Sequence, residues 1–210
     1  SSFNEIFLND DKIKLDQILK KNGYYFSDIQ IEIEQIDDNK ININYVFDLG
    51  EKSKIRKITF LGNKIFKDKK LKSVIVTEEY KFWKFISGKK YLNEALISYD
   101  KNLLKNFYLN KGFYNVQINS SFSKLIKNNE FELIYNINAG EKIYFNEFKL
   151  NLPIDFDVNN YNEINNLFSD LKGKYYSLYH VEKILNKIET ITINEQYESI
   201  DAKIEEEIIS

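Results

Sequence analysis

Two stretches of the chain alternate at period two. Phe131, Leu133, Tyr135 and Ile137 alternate with Glu132, Ile134, Asn136 and Asn138, and Ile41, Ile43, Tyr45 and Phe47 alternate with Asn42, Asn44, Val46 and Asp48. This spacing predicts strands with one buried and one wet face. Each has an extended partner just upstream, residues 114–125 and 29–36, so each pair reads as a hairpin. Helical spacing takes over elsewhere. Residues 9–22 carry Ile13, Ile18 and Leu19. Residues 93–110 place Leu96, Tyr99, Leu103 and Phe107 on one face and stop before Gly112, where a left-handed residue ends a helix. A shorter helix follows Asp68, whose carboxylate is placed to cap it, with Leu71, Val74 and Ile75 as its stripe. One more strand, residues 54–61, shows Ile58 and Phe60 on one face and ends at Gly62-Asn63.

The pattern recurs. Gly50-Glu51-Lys52 returns as Gly140-Glu141-Lys142 about 90 residues on, and Ile55, Ile58 and Phe60 fall on Phe145, Phe148 and Leu150. Gly23-Tyr24-Tyr25 answers Gly112-Phe113-Tyr114, Ile29-Gln30-Ile31 answers Val116-Gln117-Ile118, and Gly88-Lys89-Lys90-Tyr91 is echoed by Gly173-Lys174-Tyr175-Tyr176. The complete period, residues 53–141, has the order β-α-α-β-β. It predicts an α+β unit: a three-stranded mixed sheet with two helices on one face. Residues 1–52 hold the C-terminal part of a preceding unit, a helix and a hairpin. Residues 142–210 begin another, with a strand over 142–150 and helices near 161–171 and 178–192. Its last stretch reads either as a first hairpin strand, 197–208, or as both strands folded from 190–208 around 194–198.

Composition narrows the chemistry. The 210 residues include no Cys, which removes disulfides, iron–sulfur sites and thiol nucleophiles. One His (His180) makes a His-based zinc site or a Ser/His/Asp triad hard to assemble. A net charge of −2 and a single Arg (Arg56) argue against a nucleic-acid partner. No glycine-rich phosphate loop occurs among the 7 Gly, and no cofactor is implied. No apolar run approaches the ~18–20 residues that span a bilayer, so every segment is expected to be soluble. The chain opens on Ser1-Ser2 without Met and is expected to be a piece of a longer protein.

The run Gly62-Asn63-Lys64-Ile65-Phe66, then Trp83 and Phe85, then Tyr91, Leu96, Asp100, Leu103, Phe107-Tyr108 and Gly112-Phe113 resembles a POTRA domain. It is similar in particular to the third POTRA of the outer-membrane β-barrel assembly factors, with its GN-x-x-F start, Trp-bearing insertion and Y…L…D…L…Y…GY second helix. On this resemblance the chain holds the end of a second POTRA, a whole third and most of a fourth. The fourth-like unit departs from the pattern: Leu152-Pro153 stands where Gly62-Asn63 stands in the third, and its final strand is lacking. The resemblance implies a periplasmic location, repeats strung before a membrane β-barrel of the same protein, and no enzyme activity. It implies unfolded outer-membrane protein clients and accessory lipoproteins of the assembly machinery as partners, with a propeller lipoprotein on the third-like unit. Other POTRA carriers remain as alternatives: a two-partner secretion transporter, an autotransporter-assembly factor or a division-site protein. A reading from another class, an enzyme built on two carboxylates, needs a cleft that a string of ~80-residue two-layer units does not offer.

In POTRA domains the second strand of the unit is a sheet edge and the third lies centrally. The resemblance therefore implies a protein-binding edge at Val116, Gln117, Ile118, Asn119, Ser120, Ser121, Phe122, Ser123, Lys124 and Leu125, with 119–125 as the main contact. A secondary edge falls at Ile29, Gln30, Ile31, Glu32, Ile33 and Glu34. Unpaired edge N–H and C=O groups bind extended segments through the main chain. The first edge carries small polar residues and little charge; Glu32 and Glu34 make the second the poorer acceptor. Phe122 is read as core or contact with equal weight. Trp83 and Phe85 are expected to pack on the helices, His180 and Glu205-Glu206-Glu207 to be solvated, and Asp100 to be a structural carboxylate on a helix face beside Lys101.

Overall fold

The computed structural model describes residues 5–83, 87–124, 129–195 and 202–209. The chain divides into two compact units, Ser1–Lys105 with Gln117–Asn138, and Asn106–Val116 with Ala139–Ser210.

The first unit contains α1 (Glu5–Lys21), the hairpin β1 (Asp28–Asp37) and β2 (Lys40–Asp48), then β3 (Lys54–Asn63), α2 (Asp68–Lys72), the start of α3 (Glu94–Leu109), β4 (Gln117–Lys124) and β5 (Glu130–Asn138). β3 runs parallel to β5 and β4 antiparallel to it, so the order is β3-β5-β4 with β5 central. The alternation in β5 is realised: Phe131, Leu133, Tyr135 and Ile137 are buried with Ile55, Ile58, Phe60, Leu71, Ile97 and Leu104. This is the expected α+β unit with a three-stranded mixed sheet. β3 continues through Gly62-Asn63 instead of ending there. Gly62 has φ +85°, and a Cβ on it would lie 2.4 Å from the Asn136 side-chain oxygen and 2.5 Å from the Ile137 carbonyl oxygen. Only glycine satisfies both the dihedral and the approach.

Several local expectations shift. Asp68 does not cap α2; it is the helix's first residue, Lys67 occupies the cap without a side-chain bond, and the Asp68 carboxylate pairs with the Lys64 ammonium. α2 ends at Lys72, so Val74 and Ile75 lie beyond it. α3 is capped by Asn93, whose side-chain oxygen accepts from the Leu96 N–H at 3.1 Å. Its buried face is Ile97, Asp100, Leu104 and Tyr108, while Tyr99 is exposed, so the stripe is turned from the one at Leu96, Tyr99, Leu103 and Phe107. Asp100 turns it. Its carboxylate is fully buried and accepts from the Val76 N–H (2.7 Å), the Thr77 N–H (3.2 Å) and the Tyr135 hydroxyl (2.9 Å). α1 packs against the β1–β2 hairpin at one end, where Ile29 is buried and the Tyr45 hydroxyl donates to Asp11 at 3.3 Å, while Ile33, Ile41, Ile43 and Phe47 are exposed.

The second unit holds the end of α3, α4 (Asn162–Leu171) and α5 (Leu178–Asn194). Tyr161, Ile164, Leu171 and Ile184 form its core, with Phe145, Phe148, Leu150 and Phe168 packed against them. Residues 142–150 are not a strand; a single bridge joins Tyr144 to Tyr175. Phe145, Phe148 and Leu150 pack against the core residues of the helices, but no neighbouring strand among the described residues supplies a ladder. α5 extends through Asn194, which excludes a strand beginning at 190, and 202–209 form no ladder. Tyr197 and the rest of 196–201 lie outside the described residues.

Each unit contains a joint built from the same parts. In the first, the Ser53 N–H donates to the Gly23 carbonyl at 2.8 Å, the Leu92 N–H donates to the Ser53 carbonyl at 2.9 Å, and the Lys52 ammonium lies 5.1 Å from the Tyr24 ring and 5.2 Å from the Tyr91 ring. In the second, the Ile143 N–H donates to Gly112 at 2.8 Å, the Tyr176 N–H to Ile143 at 2.8 Å, and Lys142 lies 5.9 Å from the Phe113 ring and 4.8 Å from the Tyr175 ring. A lysine clasped between two aromatic faces thus recurs with the repeat. The bridges Lys54–Tyr91 and Tyr144–Tyr175 make Tyr91 equivalent to Tyr175, one residue off the match of Gly88–Tyr91 to Gly173–Tyr176.

Candidate functional site

The two edges of the three-stranded sheet differ. Along β3 the connector following α2 closes the outer side. The Tyr80 N–H donates to the Ile55 carbonyl at 2.6 Å, the Glu79 carboxylate accepts from the Ile58 N–H at 3.0 Å, and Tyr91 forms an antiparallel bridge to Lys54. Burial works to raise the Glu79 pKa, but the Lys72 ammonium and the Ile58 N–H outweigh it and hold the carboxyl below its ordinary range. Along β4 no such cover exists among the described residues: its ladder to β5 runs from Gln117 opposite Asn138 to Lys124 opposite Phe131, and its other side faces outward. Gln117, Asn119, Ser121 and Ser123 are exposed on one face, while Ile118, Ser120 and Phe122 are half-buried on the other. None of these seven is charged, so nothing on them blunts strand pairing.

The candidate residues fall as follows. Gln117 to Lys124 form β4 itself, and Leu125 lies outside the described residues. Val116 is not on the edge: it precedes β4, its side chain is buried, and its N–H closes a turn onto the Phe113 carbonyl at 3.3 Å. Ile29, Gln30, Ile31, Glu32, Ile33 and Glu34 all lie in β1, whose only partner in its two-stranded sheet is β2. Phe122 belongs to the inner face. Its ring stands edge-on to Tyr25 at 5.1 Å and to Phe131 at 6.0 Å. Phe26 stacks on Phe131 at 5.3 Å and is itself exposed. The Tyr25 hydroxyl donates to Glu94 at 2.6 Å; burial and this bond push its pKa up to about 12. The Tyr25–Phe26 pair had no signal beyond its place after the repeated glycine.

Other candidates resolve differently. Trp83 is 58% exposed rather than packed on the helices, in a turn where its ring meets Phe82 edge-on at 4.7 Å and the Lys81 ammonium at 5.8 Å. Phe85 lies outside the described residues. Glu206 is exposed but not merely solvated, accepting from the hydroxyls of Tyr114 (2.6 Å) and Tyr176 (3.1 Å). His180 is half-buried, and its pKa is lowered by burial and by Lys183 and Lys174. Among the described residues no group of three His, Asp or Glu side chains could hold a metal ion, and no helix is long and apolar enough to cross a membrane.

The POTRA family model, described as a surface antigen variable number repeat, matches residues 53–140. Over that stretch the chain is similar to a POTRA domain. Over 187 residues, 89% of this chain, the sequence is 23% identical to the outer membrane protein assembly factor BamA of Neisseria meningitidis serogroup B. Over 191 residues it is 24% identical to BamA of Buchnera aphidicola subsp. Acyrthosiphon pisum. The alignments cover 23% and 30% of those two proteins, so the chain spans about a quarter of the length of the curated relatives it matches. The crystal structure of Haemophilus influenzae BamA POTRA3-5 has the same fold, with a TM-score of 0.55, 14% identity, and coverage of 90% of this chain and 71% of that one. The chain is thus similar over most of its length to BamA, with the match to the POTRA family confined to residues 53–140.

Proposed function

We propose that this chain is the periplasmic POTRA stretch of an outer-membrane protein assembly factor. The full protein on this reading continues into a membrane β-barrel, and the repeats assist assembly as a scaffold without catalysing a reaction. Its working surface is the β4 edge, which takes up extended segments of unfolded outer-membrane proteins by β-augmentation and offers a docking strand to a propeller lipoprotein of the assembly machinery. The observation that carries the proposal is the contrast between the edges: β3 is covered by residues 79, 80 and 91, whereas among the described residues nothing covers β4, whose exposed face carries the uncharged Gln117, Asn119, Ser121 and Ser123. Main-chain bonding at such an edge accepts clients of diverse sequence. The β1 edge, with Glu32 and Glu34 exposed, is the weaker acceptor.

Ser121→Pro tests the proposal, because proline removes a donor and kinks an edge strand while leaving β5 paired to β3. With circular dichroism confirming the fold, Ser121→Pro is expected to weaken an unfolded outer-membrane protein peptide by about tenfold or more, the loss of one to two main-chain bonds. The same variant should lose capture of the propeller lipoprotein. Unchanged affinity for both sinks the proposal.

A further inference from the structure

A strand added to β4 would lie about 4.8 Å away, with every second side chain in line with the inner row of Ile118, Ser120 and Phe122. That row is uneven. Ser120 leaves room beside it, whereas Phe122 presents a half-buried ring already wedged edge-on by Tyr25 at 5.1 Å. Tyr25 comes from the turn after Gly23, outside the POTRA-like residues 53–140, and its hydroxyl is pinned to Glu94 at the first turn of α3. Phe26 beside it remains 53% exposed. The preceding repeat therefore supplies part of the wall beside an edge strand that belongs to the next.

We propose that Phe122 and Tyr25 form an aromatic step beside the β4 edge, which selects extended segments bearing a large apolar side chain at the position next to Phe122 and fixes their register. This rests on β4 being the acceptor edge and adds a specificity that main-chain pairing alone lacks. Partners with an alternating pattern fit best. The inner-facing positions of the added strand are apolar, with the largest beside Phe122, and the outer-facing positions are polar, beside Asn119, Ser121 and Ser123.

Two nine-residue peptides test it, with Val at the odd positions and Thr at the even ones, differing only in Phe or Ser in place of the fifth residue, so that the test position lies in the apolar row. They are titrated against the full chain, the Phe122→Ala and Tyr25→Ala variants, and Ser121→Pro. The Phe peptide is expected to bind the full chain about tenfold more tightly, as burial of a large side chain implies. Either alanine variant should abolish that preference while leaving the Ser peptide's affinity within about twofold. Tyr25→Phe, which keeps the ring, should retain the preference and guards against a folding effect. Equal binding of the two peptides to the full chain, or an undiminished preference in both alanine variants, overturns the inference. If Ser121→Pro weakens both peptides in that case, the edge reading survives without it. If neither peptide binds the full chain, the edge reading and the inference fall together.

Discussion

Asp100 fixes the rotation of a helix. Fully buried, it satisfies two backbone N–H groups and the Tyr135 hydroxyl, and it draws Ile97, Leu104 and Tyr108 inward with it. Scoring by hydrophobicity puts Leu96, Tyr99, Leu103 and Phe107 on the core face because a carboxylate counts as polar; the spacing of Asp100 from Ile97 and Leu104 held the correct answer. Removing its oxygens strands several buried donors. Asp100→Ala is therefore expected to lower stability by about 2–4 kcal/mol, and Asp100→Asn, which keeps one acceptor, by less; urea unfolding measures both. The tyrosines set a pH limit. Burial, the Asp100 charge and the bond to it raise the Tyr135 pKa, and Tyr25 rises from 10.0 to about 12. A pKa raised on folding means stability is fully present below the unfolded value and lost above it. The urea midpoint should hold up to about pH 10 and fall beyond it. Tyr25→Phe should reduce the part of that fall that is complete near pH 12.

At the scale of elements, what was legible is what the chain decides locally. β5 and both hairpins follow from alternation, and α3 and α5 from helical spacing. Residues 142–150 match β3 through the repeat and still form no strand, since a ladder needs a neighbour and the pattern along one segment cannot say whether one is there. The length of α2 was likewise hidden, because Val74 and Ile75 are apolar but lie beyond the helix. The lysine joints are tertiary and had only the repeat as their signal. Lys52→Ala should destabilise the first joint by about 1 kcal/mol, the scale of a partly exposed cation–π pair. Hydrogen exchange is the check: the Ser53 amide, bonded to Gly23, should exchange faster, with the Ile143 amide unchanged.

Over the whole molecule, the number and order of units could be read because glycine motifs recur, and β4 could be placed at an edge only through the resemblance to POTRA domains. That β3 is closed by Glu79 and Tyr80 was not legible, since those contacts join segments more than twenty residues apart. The step at Tyr25 was hidden for the same reason. The duplicated joint carries one more consequence, for how such chains change length. Lys142, Ile143 and Tyr175 stand to Gly112 as Lys52, Ser53 and Tyr91 stand to Gly23. Excising residues 52–141 would set Lys142 directly after Glu51, with a complete set of joint parts facing Gly23. Such a shortened chain, about 90 residues lighter, should still unfold in one cooperative step in urea and show no affinity for the alternating peptides. Genes of this kind could then lose or gain a repeat by one recombination event, with no new junction to evolve.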